Sequence, residues 1–456
     1  MSESAENRAQ HAQRIFEKAV SAHRAGQLDE AIAGYVRTLN IDSNYSQALN
    51  NMGVALRAQG AFHAAAASYR RAIALNPDDP GSYSNLGNAL RALGRHDAAE
   101  ASHRQALTVN PNYLEARYNL GLVLNDQGKF DEGIACLEEA LRHKADYIDA
   151  HWDLALAWLM KGNLRQGFEE YEWRWQLPGN KPHQFDKPAW SGAALEGRVI
   201  LLHAEQGAGD SIQFARYAML VAAKGGRVIL ECQMPLVSLF EQLKGVEQVV
   251  VRDDPLPAFD VHAPLLSLPR IFKTDLNSIP APDAYLKADA ARTEKFAEML
   301  DPTRLNVGIA WAGKPSHRND RNRSAGIKPF IDLLGTPDAA FHSLQIGPRS
   351  ADLISNGCAG LIRDHSSNIS DFSDTAALIA ALDLVISVDT SVCHLAGALG
   401  KPCWVVIPYT PDWRWLMERE DSPWYPSLRL FRQERFGDWP GVFSRLAAAL
   451  ENMIAP

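Results

Sequence analysis

The protein has 456 residues, of which 46% are hydrophobic and 22% are charged, a composition typical of soluble globular proteins. One hydrophobic core rarely organises a chain of this length, so the length predicts two or three domains. A formal net charge of -8 repels a phosphate backbone and argues against nucleic acid as a partner.

The first residues, MSESAENRAQHAQRIF, lack the apolar stretch of a secretory signal, and no later segment has the length of a membrane span. We therefore expect a cytoplasmic protein without stable membrane insertion. The cysteines are Cys136, Cys232, Cys358, Cys393 and Cys403. Their scattered positions and the lack of a Cys-x-x-Cys pair argue against both a disulfide framework and a zinc cluster.

Glycine recurs every 34 residues along the first part of the chain. The positions are Gly26, Gly60, Gly94, Gly128 and Gly162. This period is that of tetratricopeptide repeats, each of which is a pair of helices. The sequence therefore predicts an all-α solenoid of five helical hairpins over residues 12–175, with a concave groove suited to a peptide.

Asparagine recurs with the same period at Asn51, Asn85 and Asn119. Each side-chain amide offers both a donor and an acceptor, so a ladder of amides is able to bind the backbone of an acceptor protein in the groove. Alternatively, these residues are part of the repeat consensus and bridge helices within the array. The sequence does not separate the two interpretations.

The repeat pattern ends before a segment rich in proline, glycine and tryptophan, which predicts a linker over residues 176–196. Short apolar runs then alternate with helical segments, as in parallel βαβ units. We predict two Rossmann-like halves of about equal size, residues 197–300 and 301–456. A ligand is expected in the cleft between them, at the carboxyl ends of the strands.

The first predicted strand leads into EQGAGDSIQFARYA, where Gly207 and Gly209 permit a tight turn. A dinucleotide-binding loop needs a third glycine where Ile212 stands, which argues against a dehydrogenase. Asp210 is a candidate general base that removes a proton from an acceptor hydroxyl. It is equally suited to cap the following helix.

The second half begins with a strand that leads into WAGKPSHRNDRNRS, a loop with several basic residues. Its candidate ligands for the donor diphosphate are Lys314, Arg318, Arg321 and Arg323. Guanidinium groups bind phosphate with two parallel hydrogen bonds. The alternative is a solvated charged surface, and the sequence does not show which basic residue points inward.

A buried strand followed by a short helix is predicted in LVISVDTSVCHLAGALGKP. The amino end of such a helix presents free N–H groups that suit a phosphate, and the hydroxyls of Thr390 and Ser391 add donors. Asp389 more naturally caps the helix or orients the loop. His394 lies one turn further along and either reaches the donor or is a satisfied core histidine.

The sequence contains no Asp-x-Asp pair, no His-Glu-x-x-His motif and no P-loop. Metal-dependent transfer, zinc hydrolysis and NTPase chemistry therefore lack support, and we predict no metal at the site.

The segments GAGDSIQFARYA, WAGKPSHRNDRNRS, SVDTSVCHLAGALGKP and PDWRWLMEREDSPWYPSLRLFRQ resemble the heptosyltransferase-like glycosyltransferase family 9, in its bacterial branch fused to tetratricopeptide repeats. The resemblance implies a GT-B fold, inversion at the anomeric carbon, and a nucleotide-sugar as donor substrate with no further cofactor. It places the base at Asp210 and donor contacts at Asp389, Thr390 and His394. Lys314 departs from the Asn expected in its loop.

The same resemblance implies a protein acceptor recruited by the repeats, with flagellin as one candidate. Two alternatives stay open at this point. One is transfer to a lipid or to a lipopolysaccharide core, and the other is a scaffold whose transferase half is inactive.

Overall fold

The computed structural model of the chain describes residues 2–180, 182–280, 283–316 and 319–454, with side chains from Glu6 onward. The chain divides into two compact units. The first consists of the residues up to 158 together with 176–179, and the second of 159–175 together with 180–456. The predicted basic residue Arg318 lies outside the described residues.

Residues 2–170, all of them described, form ten α-helices joined by short turns. The helices are α1 Ser2–Arg24, α2 Leu28–Ile41, α3 Ser46–Ala58, α4 Phe62–Leu75, α5 Pro80–Ala92, α6 His96–Val109, α7 Leu114–Asp126, α8 Phe130–His143, α9 Ile148–Met160 and α10 Leu164–Glu170. In the first unit each helix packs mainly on its neighbours in the chain, as expected of a solenoid. This confirms the predicted helical repeat architecture.

The recurrent glycines lie in the turns within the hairpins. Each has a positive φ, between 70° in Gly94 and 80° in Gly162, a conformation that favours glycine because it has no Cβ. Two other glycines lie on the first helices of their hairpins, where close packing requires a small residue. A Cβ on Gly53 would come within 2.5 Å of the Tyr69 ring, and one on Gly87 within 2.5 Å of the His103 ring.

The second unit contains a first parallel sheet formed by short buried strands. The strands are β1 Val199–His203, β2 Arg227–Cys232, β3 Val246–Val251 and β4 Val261–Pro264, in the spatial order β3-β2-β1-β4. The helices of this part are α11 Ala208–Ala215, α12 Ala218–Ala222, α13 Val237–Phe240, α14 Leu268–Ile271 and α15 Ala290–Ala297.

A second parallel sheet follows. Its strands are β5 Leu305–Ala310, β6 Ala339–Ser343, β7 Ile362–Asp364, β8 Leu384–Val388, β9 Cys403–Ile407 and β10 Leu428–Arg432, in the spatial order β10-β9-β8-β5-β6-β7. Its helices are α16 Asp320–Arg323, α17 Lys328–Ile331, α18 Asp352–Ser355, α19 Phe372–Ala381, α20 Ser391–Ala398 and α21 Trp439–Ile454.

The α/β class and the parallel sheets agree with the sequence prediction. The prediction of two sheets of about equal size was wrong, because among the described residues the first sheet has four strands and the second has six. The extra edge strand β7 has only three residues, two of them exposed and charged, so it leaves no apolar run in the sequence. Helix α15 lies within residues 197–300 but packs against α19 of the second sheet.

None of the helices in the described ranges is long and apolar enough to cross a lipid bilayer.

Candidate active site between the two sheets

Two helices begin at the carboxyl ends of central strands and meet at their amino ends. Strand β1 leads into α11, and strand β8 leads into α20. A Cβ on Gly209 would lie 3.0 Å from His394 Cδ2 and 3.5 Å from Ser391 Cα. Glycine at this position therefore allows the first turn of α11 to approach α20 directly. Two sets of helix-terminal N–H groups converge here, an arrangement suited to anions.

Asp210 occupies the first turn of α11, and both of its carboxylate oxygens have partners. Oδ2 accepts a hydrogen bond of 2.9 Å from the Gly207 N–H, which closes a helix cap. Oδ1 forms an ion pair of 2.5 Å with Nη2 of Arg414. The side chain is 21% exposed, so it is not fully buried by these partners. The capping role is thus realised in the structure, and the role as a base stays a prediction.

Arg414 links the loop after β9 to helix α11 through an ion pair. It was not among the site residues predicted from the sequence. Its guanidinium is buried between Asp210 and Asp412, with a 2.8 Å ion pair to the latter. It also donates to the side-chain oxygen of Gln213 and lies 4.4 Å from the centre of the Trp413 ring. The only hint in the sequence is one arginine between two tryptophans, and those rings are buried in packing.

Thr390 and Ser391 begin helix α20. Thr390 is its N-cap, and its hydroxyl accepts a hydrogen bond of 3.3 Å from the Val392 N–H. The same hydroxyl shares a hydrogen bond of 3.2 Å with Ser387. Both residues are half-buried, so the amino end of α20 is partly exposed.

Asp389 and His394 form a buried pair beside this terminus. The Oδ1 atom of Asp389 lies 3.9 Å from Nε2 of His394. Burial raises the pKa of Asp389 to about 6, with the nearby Asp412 carboxylate adding to the effect and Arg323 opposing it. Burial also lowers the pKa of His394 well below its usual value, so the imidazole is neutral at pH 7.

The ring of His394 is held by packing as well as by a hydrogen bond. Its Nδ1 shares a 3.0 Å hydrogen bond with the Tyr425 hydroxyl, and the ring stacks on Trp415 with centroids 5.5 Å apart. His394 therefore has the hydrogen bond and the packing contacts expected of a histidine in a protein core. A donor contact through Nε2 remains a prediction.

The basic loop after β5 contributes one side chain to this cluster. Arg323 is 17% exposed and acts electrostatically on both Asp389 and His394. Lys314 and Arg321 are exposed, and no hydrogen bond or ion pair among the described residues joins either of them to α20. Arg323 is thus the basic residue of the described loop that points inward.

Glu205 is a second carboxylate at the end of β1 that the sequence interpretation passed over. Burial raises its pKa to about 7, with Arg174 opposing and the Glu172 and Asp210 carboxylates adding. Oε1 accepts from Arg174 at 2.7 and 3.0 Å, whereas Oε2 is buried without a hydrogen-bond partner. In the sequence, the feature that could have identified Glu205 as a site residue is its position five residues before Asp210.

The three arm asparagines are half-buried and partly engaged within the array. Asn85 donates a 3.1 Å hydrogen bond to the side-chain oxygen of Asn50, one repeat earlier. Asn51 interacts with the hydroxyl of Tyr35. Because an amide has further donor and acceptor capacity, binding of an acceptor by these residues and by Asn119 remains a prediction.

Family models match both parts of the chain. A model described as "Glycosyltransferase family 9 (heptosyltransferase)" matches residues 369–432. Models described as "TPR repeat" and "Tetratricopeptide repeat" match residues 55–94 and 121–162, and 80–113, respectively. The chain combines tetratricopeptide repeats with a glycosyltransferase family 9 domain.

The match to the family 9 model spans strands β8 to β10 and helix α20, so it includes most of the cluster just described. Its members in that segment are Asp389, Thr390, Ser391, His394 and Arg414. Asp210 and the basic loop lie outside the matched segment.

Protein FlbA of Caulobacter vibrioides is 29% identical over 326 residues, which are 65% of this chain and 54% of FlbA. The chain therefore spans about half the length of this curated relative. Among solved structures, MamA of Desulfovibrio magneticus is 19% identical with a TM-score of 0.35, covering 39% of this chain and 98% of that one. A thermophilic tetratricopeptide protein of Thermus thermophilus is 23% identical with a TM-score of 0.33, covering 37% of this chain and 93% of that one.

Proposed function

We propose that the protein is an inverting, metal-independent glycosyltransferase of the GT-B type, which moves a sugar from a nucleotide-sugar to an acceptor protein. The observation that carries this proposal is the meeting of the α11 and α20 amino ends, with Gly209 against His394 and Ser391. The family 9 match to the segment around α20 supports it.

The donor diphosphate binds at the amino end of α20. Its oxygens accept hydrogen bonds from the free N–H groups there and from the hydroxyls of Thr390 and Ser391. Arg323 supplies positive charge at the same place, because it is mostly buried and acts electrostatically on Asp389. These groups stabilise the negative charge that develops on the leaving nucleoside diphosphate, so the site works without a metal ion.

Asp210 acts as the general base from the opposite helix. It takes the proton of the acceptor hydroxyl while that oxygen attacks the anomeric carbon, and the bond from this carbon to the diphosphate oxygen breaks. Attack from the side opposite the leaving group inverts the anomeric centre. Arg414 holds the carboxylate in place through their ion pair.

The repeat arm recruits the acceptor protein. Its concave helices are an interaction surface without catalytic groups, and the recurrent amides of Asn51, Asn85 and Asn119 suit a peptide backbone. The acceptor is a protein with surface hydroxyls, flagellin being one candidate.

Calorimetric titration with UDP, GDP, CMP and ADP tests the donor site, each in the presence and in the absence of EDTA. We expect one of these nucleotides to bind equally well with and without EDTA. Thr390→Val should lower the affinity for that nucleotide about tenfold, because it removes a hydrogen bond to a charged group. The matched control is Thr375→Val, a buried threonine of α19 outside the cluster. Equal affinity in the two variants, or loss of binding in EDTA with recovery in magnesium, contradicts the proposed donor site.

A further inference from the structure

A second group of polar side chains lies at the carboxyl edge of the first sheet, apart from the residues used above. His203 ends β1, and Glu231 lies opposite it on β2 in the register of the sheet. His262 lies on β4, and its ring shares a 3.3 Å hydrogen bond with His203. His183 approaches the group from the segment that precedes β1.

Three of these residues are arranged like ligands of one metal ion. Each of His183, His203 and Glu231 offers one ligand atom, and these atoms all lie within 4.8 Å of one another. Nε2 of His183 is 3.9 Å from Oε2 of Glu231. Two ligands at about 2.0 to 2.2 Å from a tetrahedral ion are about 3.3 to 3.6 Å apart, so the three ligand atoms must move closer together to bind one.

Two buried atoms of this group lack hydrogen-bond partners among the described residues. His203 and Glu231 are each only 1% exposed, and the group contains a nitrogen and an oxygen without hydrogen bonds, Nδ1 of His203 and Oε2 of Glu231. Buried polar atoms of native proteins almost always have a partner, because desolvating them without one costs stability. A bound cation satisfies both atoms at once.

The second nitrogen of His203 is already oriented as in metal sites. Its Nε2 shares a hydrogen bond with Nδ1 of His262, and its Nδ1 is buried without a hydrogen-bond partner among the described residues. Such outer partners fix the orientation of a ligating imidazole.

The surrounding charges are mixed. Arg252 and Arg174 act on His203 and oppose a cation, whereas Asp253 adds negative charge beside Glu231. One carboxyl group and two imidazoles form a set of nitrogen and oxygen ligands that zinc accepts, whereas calcium and magnesium favour oxygen ligands alone.

We propose that His183, His203 and Glu231 bind one divalent transition-metal ion, zinc by the chemistry of the ligands, with His262 as the residue that orients His203. Three protein ligands leave one coordination position for water or substrate. This site is separate from α20, so it does not depend on the proposed donor site and does not alter the metal-independent binding of nucleotide.

Calorimetric titration of the EDTA-treated, dialysed full chain with Zn²⁺ tests the proposal. We expect one ion per chain and a rise in melting temperature on binding. His262→Gln should lower the affinity for Zn²⁺ about 10- to 100-fold, as expected for a residue that orients a ligand. His183→Gln should lower this affinity further, because it removes a ligand. His183 is suited to this test because its side chain is 35% exposed, so the fold tolerates the change.

Glu231→Gln keeps the shape of the buried side chain and removes the charge, so it should abolish the rise in melting temperature. The matched control is His63→Gln, which removes an exposed histidine of the arm and should bind Zn²⁺ like the unmodified chain. The proposal is wrong if the unmodified chain binds no Zn²⁺. It is equally wrong if His183→Gln and Glu231→Gln bind Zn²⁺ as tightly as His63→Gln does.

Discussion

Asp210 and Arg414 form a 2.5 Å ion pair that connects the helix after β1 with the loop after β9. The guanidinium is shared, because Asp412 accepts from the same group at 2.8 Å. One residue thus ties the proposed base to the sheet that carries the proposed donor site.

The first prediction compares Asp210→Asn with Asp412→Asn. If Asp210 is the base, its replacement should slow sugar transfer by roughly 10²- to 10⁴-fold while nucleotide affinity is preserved. Asp412→Asn removes the other carboxylate beside Arg414 and should slow transfer much less. Both variants are measured by single-turnover transfer and by nucleotide titration. Equal rate losses in the two variants would mean that Asp210 serves only to hold Arg414.

The second prediction concerns Arg414→Met and the free energy of unfolding. Removing one partner of a buried ion pair typically costs 3 to 5 kcal/mol, because the remaining charge is left unpaired. Asp210 and Asp412 are 21% and 34% exposed, so water screens part of this effect and we expect about 2 to 3 kcal/mol.

This loss is measured as the free energy of unfolding of the second unit in a chemical denaturation experiment. Arg445→Met is the matched control, since its ion pair with Glu434 is exposed and should contribute less than about 1 kcal/mol. A loss for Arg414→Met no larger than for Arg445→Met would show that the buried pair is not important for stability.

The repeat architecture and the α/β class could be predicted from the sequence, since both depend on local periods. The glycines that recur every 34 residues reflect the positive φ required at each turn. The buried strands are continuous apolar runs in the sequence. Strand β7 and the unequal sheets could not be predicted, because a three-residue edge strand with two charged residues has no such pattern.

The candidate site was only partly predictable. Asp389, Thr390 and Ser391 directly follow a buried strand, so they could be recognised as candidate site residues from the local sequence alone. In contrast, the pairing of Arg414 with Asp210 joins residues 204 positions apart. The raised pKa of Glu205 likewise depends on burial by distant parts of the chain. Which arginine of the basic loop points inward also requires the tertiary fold, which selects Arg323 among the described ones.

The third prediction is that His103 makes the arm sensitive to acid. Burial lowers its pKa to about 4, and neither ring nitrogen has a hydrogen-bond partner. Between about pH 6.5 and pH 4 the unfolded chain binds a proton that the folded arm does not, so stability falls as the pH falls through this window. The full effect of this one group is roughly 3 kcal/mol, since each pKa unit corresponds to about 1.4 kcal/mol.

His103→Tyr tests this, because Tyr69 occupies the equivalent place against Gly53 where His103 faces Gly87. The variant should fold and should lose less stability between pH 7 and pH 4.5 than the unmodified chain, as measured by urea denaturation at both values. His63→Tyr, at an exposed site, is the control and should keep the original pH dependence. An unchanged dependence in His103→Tyr would mean that other groups govern the acid response.

The last prediction concerns the arm, which we expect to select the protein acceptor while the family 9 domain handles the nucleotide-sugar. If each of Asn51, Asn85 and Asn119 makes a net hydrogen bond to the acceptor backbone worth about 0.5 to 1.5 kcal/mol, replacing all three by alanine should lower acceptor modification tenfold or more. Hydrolysis of the donor by water should hardly change, because it needs no acceptor.

The matched control replaces Asn44, Asn76 and Asn112, which are exposed in turns between the hairpins. Asn85 also binds Asn50 within the arm, so the melting temperature of each triple variant must be compared with the loss of activity. A selective loss of acceptor modification, with donor hydrolysis and folding retained, supports acceptor binding by the arm amides. Acceptor modification that survives the triple change would mean that these amides only bridge helices, and transfer to a lipid acceptor would then become the stronger hypothesis.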